Sequence, residues 1–360
     1  MNAFCERLAL DYPIIQAPMA GVSTPALALA VSRAGALGSL ATGAMPAASA
    51  VAQQLAELQA ATDKPFNVNV FCHKPAPLDT DRDAQWLAYL RPFFKELGSE
   101  PPTSLAEVYP SFLLNDDLLK TLIVARPKVV SFHFGLPTVA QALALRQAGV
   151  LLLACVTSLA EGQAAVALGV DALVAQGIEA GGHRGVFDAT ITDTHLPALT
   201  LTRQLAQAIP LPIVTAGGLM TGADIAAALR AGAAAAQLGT AFIACPESGA
   251  NAAYRAALLQ RPPLPTAITE VISGRPARGL VNRFMRDIDQ PGRPAAAPYS
   301  RAYVAGKALV AAAQQAGEPG FAVQWAGTGV GRARALPAAE LVRLLADELR
   351  AAMPVSTSLS

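Results

Sequence analysis

The sequence of 360 residues has almost no excess charge, because 27 Lys and Arg residues face 26 Asp and Glu residues and leave a net charge of +1. It contains no long run of Lys or Arg, and so lacks the electrostatic footprint of a protein that binds nucleic acid or an anionic membrane. It also lacks an uninterrupted apolar stretch of the roughly 18 residues that a membrane helix needs. We therefore expect neither a nucleic acid nor a membrane as a partner.

Cysteine and histidine are scarce, with four residues of each type. The cysteines form no CxxC pair and the histidines lack ligand spacing, so no metal site is expected. Three cysteines fall in or beside apolar runs, which predicts buried, reduced thiols. Residues 1–7 include an acid and lead into no apolar segment with a cleavage site, so we predict a cytoplasmic location.

What the chain does have is apolar residues, which make up 53% of it. Eight short apolar runs are each followed by a segment of helical periodicity; they span residues 13–19, 36–43, 66–72, 129–135, 150–157, 172–177, 212–218 and 235–242. Eight parallel strands close a barrel, and continuous apolarity is typical of strands buried on both faces. We predict the α/β class and a (β/α)8 TIM barrel. An open doubly wound sheet fits less well, since no GxGxxG follows the first run.

Two stretches depart from this alternation of apolar runs and helical segments. Residues 73–128 are too long for a simple crossover and rich in proline, which predicts an excursion over one barrel face with a helix near 83–97. Residues 246–300 follow the eighth run and are predicted to form a smaller inserted lid or substrate domain. The predicted organisation is a barrel over 1–245 that includes the excursion, the lid over 246–300, and closing helices over 301–360 that complete the barrel.

One histidine stands out by its position. The segment QGIEAGGHRG at 176–185 places His183 behind Gly181 and Gly182, just beyond the sixth apolar run. Glycines allow a sharp turn and a close approach to a ligand, and α/β enzymes keep their chemistry beyond the carboxyl ends of the strands. His183 is therefore our first catalytic candidate. The alternative is a loop histidine that only hydrogen-bonds to backbone.

Glycines also follow the last two runs. Gly217 and Gly218 come after the seventh, and Gly239 with Thr240 after the eighth. Barrels often bind a phosphate at these two loops, because backbone N–H groups and a helix N-terminus converge there. A single glycine pair would indicate only a turn, whereas two pairs at the two expected loops predict a phosphorylated ligand.

Taken together, these stretches resemble the nitronate monooxygenases, the flavin family once called 2-nitropropane dioxygenases, and within them the bacterial class I branch. The matching stretches, in the order of the family, are Gln16–Val22 with Thr24–Pro25, Phe66–Phe71, Val130–Gly135, Gln176–Gly185, Thr215–Leu219 and Gln237–Phe242. The glycine loops are shared with flavin-dependent enoyl reductases of similar fold.

The resemblance implies FMN as the cofactor. The residues that match the flavin contacts of the family are Met19, Asn69, Gln176, Gly181, Gly182, Gly217, Gly218, Gln237, Gly239 and Thr240. Asn69 and Gln176 carry both donors and acceptors, as the edge of an isoalloxazine ring requires. The alternative readings are strand-capping side chains for these two amides and a plain core position for Met19.

The resemblance also implies a substrate side. It places His183 beside the reactive edge of the flavin, and the other matching residues around it are His133, Tyr109, Tyr254, Tyr299, Tyr303 and Lys307. A nitronate is a delocalised anion, which suits phenolic and imidazole donors with one cation. The spacing of Tyr299, Tyr303 and Lys307 predicts one helix face, the alternative being a packed stripe with a solvated lysine. Arg275 and Arg278 are predicted to be surface or lid contacts.

The implied activity is oxidation of an alkyl nitronate by O2 to a carbonyl compound with nitrite or nitrate, through one-electron transfer to the flavin. Propionate 3-nitronate is the candidate substrate of the family. Two alternatives stay open: an NAD(P)H-dependent flavin reductase acting on enoyl or quinone substrates, and a non-catalytic phosphate-ligand sensor. The sequence leaves open whether the protein is a monomer or a homodimer.

Overall fold

The computed structural model describes residues 2–45 and 47–353. In these residues the strands are β1 (Ile14–Gln16), β2 (Gly38–Ala41), β3 (Phe66–Phe71), β4 (Val129–His133), β5 (Leu151–Val156), β6 (Ala172–Gln176), β7 (Gly182–His183), β8 (Ile213–Ala216), β9 (Ala235–Leu238), β10 (Thr266–Thr269) and β11 (Ala277–Leu280). The α-helices are α1 (Ala3–Arg7), α2 (Pro25–Arg33), α3 (Ala48–Ala61), α4 (Thr80–Glu96), α5 (Asp116–Ala125), α6 (Val139–Gln147), α7 (Leu159–Leu168), α8 (Ala198–Ala208), α9 (Gly222–Arg230), α10 (Thr240–Ile243), α11 (Ala252–Leu259), α12 (Ala302–Gln315) and α13 (Ala338–Ala352).

A parallel barrel forms the centre of the molecule. Eight strands lie in the order β1-β9-β8-β6-β5-β4-β3-β2, and a parallel bridge between Ile15 and Leu37 joins the two ends of this sheet. The strands correspond one for one to the eight apolar runs, so the predicted (β/α)8 barrel is confirmed. They are shorter than the runs because the last residues of several runs leave the sheet; Gly239 already caps α10.

Several barrel helices begin at side-chain caps. The Thr24 hydroxyl accepts a hydrogen bond from Leu27 N at the start of α2, and Thr221 forms a capping box with Asp224 at the start of α9. Such caps satisfy backbone N–H groups that a helix cannot pair internally. The C-terminal helix α13 buries Leu341 and Leu345 in one apolar cluster with residues of α2 and α9, and so covers the last part of the barrel.

A second layer lies on the side of the barrel where the strands end. The excursion contributes α4, close to the helix predicted near 83–97, and its Trp86 and Phe94 share an apolar cluster with Leu309 of α12 and with Phe321. The predicted lid segment contributes the β10–β11 hairpin, which pairs through β11 with β7. The domain boundaries at 245 and 300 stay a prediction. Among the described residues, every helix is too short or too polar to span a bilayer.

Candidate active site

A cavity of about 560 Å³ opens beyond the carboxyl ends of the barrel strands. Its walls contain all the residues that the sequence assigned to a site, namely Met19, Asn69, Tyr109, His133, Gln176, Gly181, Gly182, His183, Gly217, Gly218, Gln237, Gly239, Thr240, Tyr254, Tyr299, Tyr303 and Lys307. The structure therefore brings these residues together around one space, while their individual roles stay predictions. The four cysteines are buried and free, as expected.

The two glycine loops form one end of the cavity. Gly217 and Gly218 have φ angles of 129° and 71°, a region that favours glycine. Among the described residues, the backbone N–H groups of Gly217, Gly218, Gly239 and Thr240 donate to no protein acceptor. Unpaired N–H groups that face a common space form a cradle for an anion.

The two amide side chains have fixed orientations. Asn69 Nδ2 lies 3.1 Å from the Ser131 carbonyl oxygen and 2.9 Å from Ser131 Oγ. Since a carbonyl oxygen only accepts, Nδ2 must face Ser131, and Oδ1 is left as the acceptor that Asn69 can offer a ligand. Gln176 offers a ligand the opposite group, a hydrogen-bond donor. Its Oε1 accepts from Gly185 N at 2.7 Å and Arg184 Nη1 at 3.0 Å, and its Nε2 donates to the His183 carbonyl at 2.9 Å, which leaves one N–H free.

A buried ion pair stands behind Gln176. Arg184 is 1% exposed, and its Nε lies 2.6 Å from Asp193 Oδ2. Arg184 Nη1 also donates to the Gln176 carbonyl oxygen at 3.1 Å and to the Gly177 carbonyl oxygen at 2.8 Å. The loop that carries His183 is therefore tied to the end of β6 by charge-assisted hydrogen bonds.

Replacing Asp193 by alanine should lower the free energy of unfolding by about 3–5 kcal/mol, because it leaves the Arg184 guanidinium buried without its partner. Denaturant unfolding measures this loss. Asp188→Ala is the matched control, since the Asp188 side chain is exposed and its hydrogen bonds go to Thr190. Equal effects of the two changes would contradict a structural role for the buried pair.

His183 is held by both its backbone and its ring. Its carbonyl oxygen accepts from Gln176 and also lies 3.3 Å from His133 Nε2. Its own Nε2 lies 2.9 Å from the hydroxyl of Ser273, a fully buried residue. Because His183 belongs to β7, its main chain pairs with Ala277 of β11. The hairpin thereby fixes the imidazole against the cavity.

Both cavity imidazoles are neutral near pH 7. Burial lowers the pKa of His183 from 6.5 to about 3, with His133 and Arg275 adding to the effect. Burial and the charge of Arg275 lower the pKa of His133 to about 4. In contrast, burial raises the pKa of Tyr254, Tyr299 and Tyr303 above 10, so these phenols stay protonated. These imidazoles and phenols therefore present neutral hydrogen-bonding groups to the cavity.

Buried imidazoles make the fold sensitive to acid. His73 has its pKa lowered to about 4, first by burial, and so joins His133 and His183. Between pH 6.5 and 4 the unfolded chain binds protons that the folded chain does not, so stability falls as the pH is lowered through this window. At pH 5 we expect a loss of roughly 2 kcal/mol per imidazole relative to pH 8. Denaturant unfolding at the two pH values measures it; equal stability at both would contradict neutral burial.

Four tyrosines and Lys307 also line the cavity. The Lys307 ammonium lies 4.7 Å from the centre of the Tyr109 ring and 5.9 Å from that of Tyr303, and the Tyr254 hydroxyl donates to the Trp325 carbonyl oxygen. The predicted helix face is only partly right. Tyr299 precedes α12, which begins at Ala302.

The reason lies in the chain just before α12. The Ser300 hydroxyl accepts hydrogen bonds from Val108 N and Tyr109 N, each at 3.1 Å. Arg301 forms an ion pair of 3.0 Å with Asp83. These contacts tie residues 300–301 to the excursion before the helix begins. Tyr299 still reaches the cavity, where its ring lies 5.6 Å from that of His183.

Arg275 is not a surface residue, which was one of the two positions predicted for it. It is 5% exposed, and from the predicted lid segment its guanidinium lies 4.3 Å from the centre of the Phe134 ring. Arg278 makes hairpin contacts instead, donating to the Ile178 carbonyl oxygen and to Thr266. Sequence reasoning also missed Trp325, whose ring lies 5.3 Å from that of His183. The signal available was weak: Trp325 is one of only two tryptophans in the chain.

A closed parallel barrel with a cavity beyond the carboxyl ends of its strands, walled by glycine loops, imidazoles and phenols, defines a TIM-barrel enzyme. The model of the nitronate monooxygenase family matches residues 2–348, and the chain belongs to that family. It is 52% identical to a nitronate monooxygenase of Paraburkholderia phytofirmans, over 97% of this chain and 95% of the relative. It is also 52% identical to one of Pseudomonas aeruginosa, over 97% and 99%.

Two solved structures share the fold. A nitroalkane oxidase from Streptomyces ansochromogenes superposes with a TM-score of 0.88 at 40% identity, covering 97% of this chain and 99% of that one. FabK from Thermotoga maritima superposes with a TM-score of 0.72 at 25% identity, covering 98% and 96%. These matches span the barrel and the second layer alike.

Proposed function

We propose that the protein oxidises alkyl nitronates with FMN and O2, giving a carbonyl compound and nitrite or nitrate, with propionate 3-nitronate as the candidate substrate. Family membership and the two relatives named nitronate monooxygenase support the reaction class. The observation that carries the proposal is the shared cavity, which joins an anion cradle to a wall of imidazoles and phenols.

The residues present suit FMN. The unpaired N–H groups of Gly217, Gly218, Gly239 and Thr240 would hold its phosphate. The Thr240 hydroxyl accepts from Gly327 N at 2.9 Å, so its hydrogen is available for a phosphate oxygen. When bound, FMN supplies the electron acceptor for the oxidation.

The ring edge of the flavin has matching partners as well. It carries alternating donors and acceptors, and the Asn69 oxygen and the free Gln176 N–H are one of each. Hydrogen bonds to Ser131, Arg184 and Gly185 set the orientations of both amides. These contacts would present the amides to the ring in fixed positions.

The substrate side suits an anion that is already ionised. Protonated phenols from Tyr299 and Tyr303 would donate hydrogen bonds to the nitro oxygens of a nitronate. The neutral imidazoles of His133 and His183 already donate through Nε2 to the His183 carbonyl oxygen and to the Ser273 hydroxyl, so they would pack beside the substrate and orient it by shape. The lowered pKa of His183, about 3, makes it a weak base. An efficient general base has a pKa near the working pH. His183 is therefore less suited to abstracting a proton from a neutral nitroalkane than to binding a nitronate that is already ionised.

One anaerobic experiment tests the proposal. The purified protein is mixed with ethyl nitronate and, separately, with NADH, and the flavin absorbance is followed. We expect the nitronate to change the flavin spectrum and NADH to act slowly or not at all. Rapid bleaching by NADH alone would replace the proposal with the NAD(P)H-dependent reductase, and a flavin inert to both would favour the non-catalytic alternative. The class I branch, the cytoplasmic location and the choice between monomer and homodimer stay predictions.

A further inference from the structure

A buried arginine beside the cavity has no carboxylate partner. In the part of the chain that the structure describes, three arginines are buried: Arg184, Arg275 and Arg301. Arg184 pairs with Asp193 and Arg301 with Asp83, whereas no described carboxylate oxygen lies within 4.0 Å of Arg275. A buried charge is costly unless an opposite charge or a ligand compensates it.

The contacts of Arg275 with the described residues include no ion pair, and the carboxylates of Asp188 and Glu161 act on its charge only from beyond ion-pair distance. Its Nη2 donates to the Val186 carbonyl oxygen at 2.8 Å, and its buried Nε has no hydrogen-bond partner. Arg283 provides a contrast within the same chain, because it stacks on Phe321 at 4.5 Å yet forms ion pairs with Glu96, Asp287 and Glu318. An arginine that stacks on a ring can therefore also form ion pairs, so stacking does not explain why Arg275 has no carboxylate partner among the described residues.

The positive charge of Arg275 lies close to the cavity. Its guanidinium stacks on Phe134, and that ring in turn lies 4.5 Å from the ring of His133, 5.5 Å from His183 and 5.2 Å from Tyr299. Those three residues line the cavity. The positive charge thus stands one aromatic ring behind the predicted substrate wall.

We propose that Arg275 determines specificity for charge: its buried guanidinium, which has no described carboxylate within ion-pair distance, makes the cavity prefer an anionic substrate such as a nitronate over a neutral compound of the same shape. This inference rests on the proposed function for the substrate class. It needs no direct contact, because a Coulomb interaction acts across a ring in a medium of low effective dielectric constant. Lys307, a cation that lines the cavity itself, is exposed, and salt screens an exposed charge far more strongly.

The test uses the FMN-loaded protein and two unreactive probes of the same shape, the anion propanoate and the neutral amide propanamide. Calorimetry gives both dissociation constants, and the ratio of the propanamide value to the propanoate value measures the preference for an anion. Arg275→Met should lower this ratio roughly tenfold, as one charge at an effective dielectric constant of about 20 implies. Arg278→Met is the matched control, since Arg278 lies on the same hairpin and points to backbone and Thr266. It should leave the ratio unchanged.

The outcomes separate the inference from the proposed function. An unchanged ratio in Arg275→Met, or an equal weakening of both probes, overturns the inference. The wild-type protein supplies a second measurement if Arg275→Met fails to fold: the preference for propanoate should persist at about 0.5 M NaCl, where exposed charges are screened. If the preference for propanoate is lost at this salt concentration, the exposed charge of Lys307, and not Arg275, causes it. A wild type that prefers propanoate but oxidises no nitronate would retain the inference and reject the proposed function.

Discussion

Replacing His183 by asparagine should lower turnover with a nitronate roughly 10²–10³-fold, the usual effect of removing one well-placed polar group from a dry site. The imidazole faces the predicted substrate wall, with the rings of Tyr299, Tyr303 and Trp325 within 6 Å. The proposed cofactor contacts of the neighbouring loop come from backbone and from Gln176, so FMN should stay bound. Steady-state kinetics and flavin absorbance of the purified variant measure the two effects.

His195→Asn is the control for that change. His195 is exposed, and its backbone N–H donates to Asp193. We expect turnover to stay close to that of the wild type. Equal losses in both variants, or full activity in both, would remove His183 from the reacting centre.

Replacing Gly218 by aspartate should abolish FMN binding while the barrel still folds. The new carboxylate would face the proposed phosphate cradle, and like charges a few Å apart cost several kcal/mol at a low effective dielectric constant. The existing carboxylate side chain of Glu179 is close as well, since a Cβ at Gly218 would lie 3.0 Å from Glu179 Cβ. Flavin content after purification and after incubation with FMN measures the loss.

Gly218→Ala separates charge from backbone strain. It places a Cβ at the same φ of 71° and against the same neighbours, but carries no charge. We expect it to keep much more FMN than the aspartate variant does. If the aspartate variant retains its flavin, the phosphate does not bind at this loop. If both variants lose FMN equally, steric strain rather than charge causes the loss.

The barrel was predictable because its signals are local. Each strand is a short apolar run, and each glycine loop follows its strand directly, so Gly217 and Gly239 could be placed at the correct end of the barrel from the sequence. The family resemblance led us to expect the site residues in one place, and in the structure they line one cavity. The position of a residue relative to a strand end can be predicted because the residues next to it in the sequence form that strand.

What the sequence did not predict depends on distant contacts. Arg275 sits in a polar-looking turn, and only the packing of Phe134 and the path of Val186 bury it. The spacing of Tyr299 fits a helix, but the hydrogen bonds of Ser300 to the excursion delay the start of α12. Trp325 reaches the cavity through a bridge between its backbone and Gly279. No short-range pattern encodes contacts of this kind.

The pairing of β7 with β11 also sets the order in which the active site is assembled during synthesis. His183 leaves the ribosome well before Ser273, its hydrogen-bond partner 90 residues further along the chain. The glycine loops after β8 and β9 are complete before that partner is made. A contact between such distant residues closes a long loop and forms late. The nascent chain can therefore acquire its anion cradle first, and its imidazole becomes fixed only when the hairpin is added.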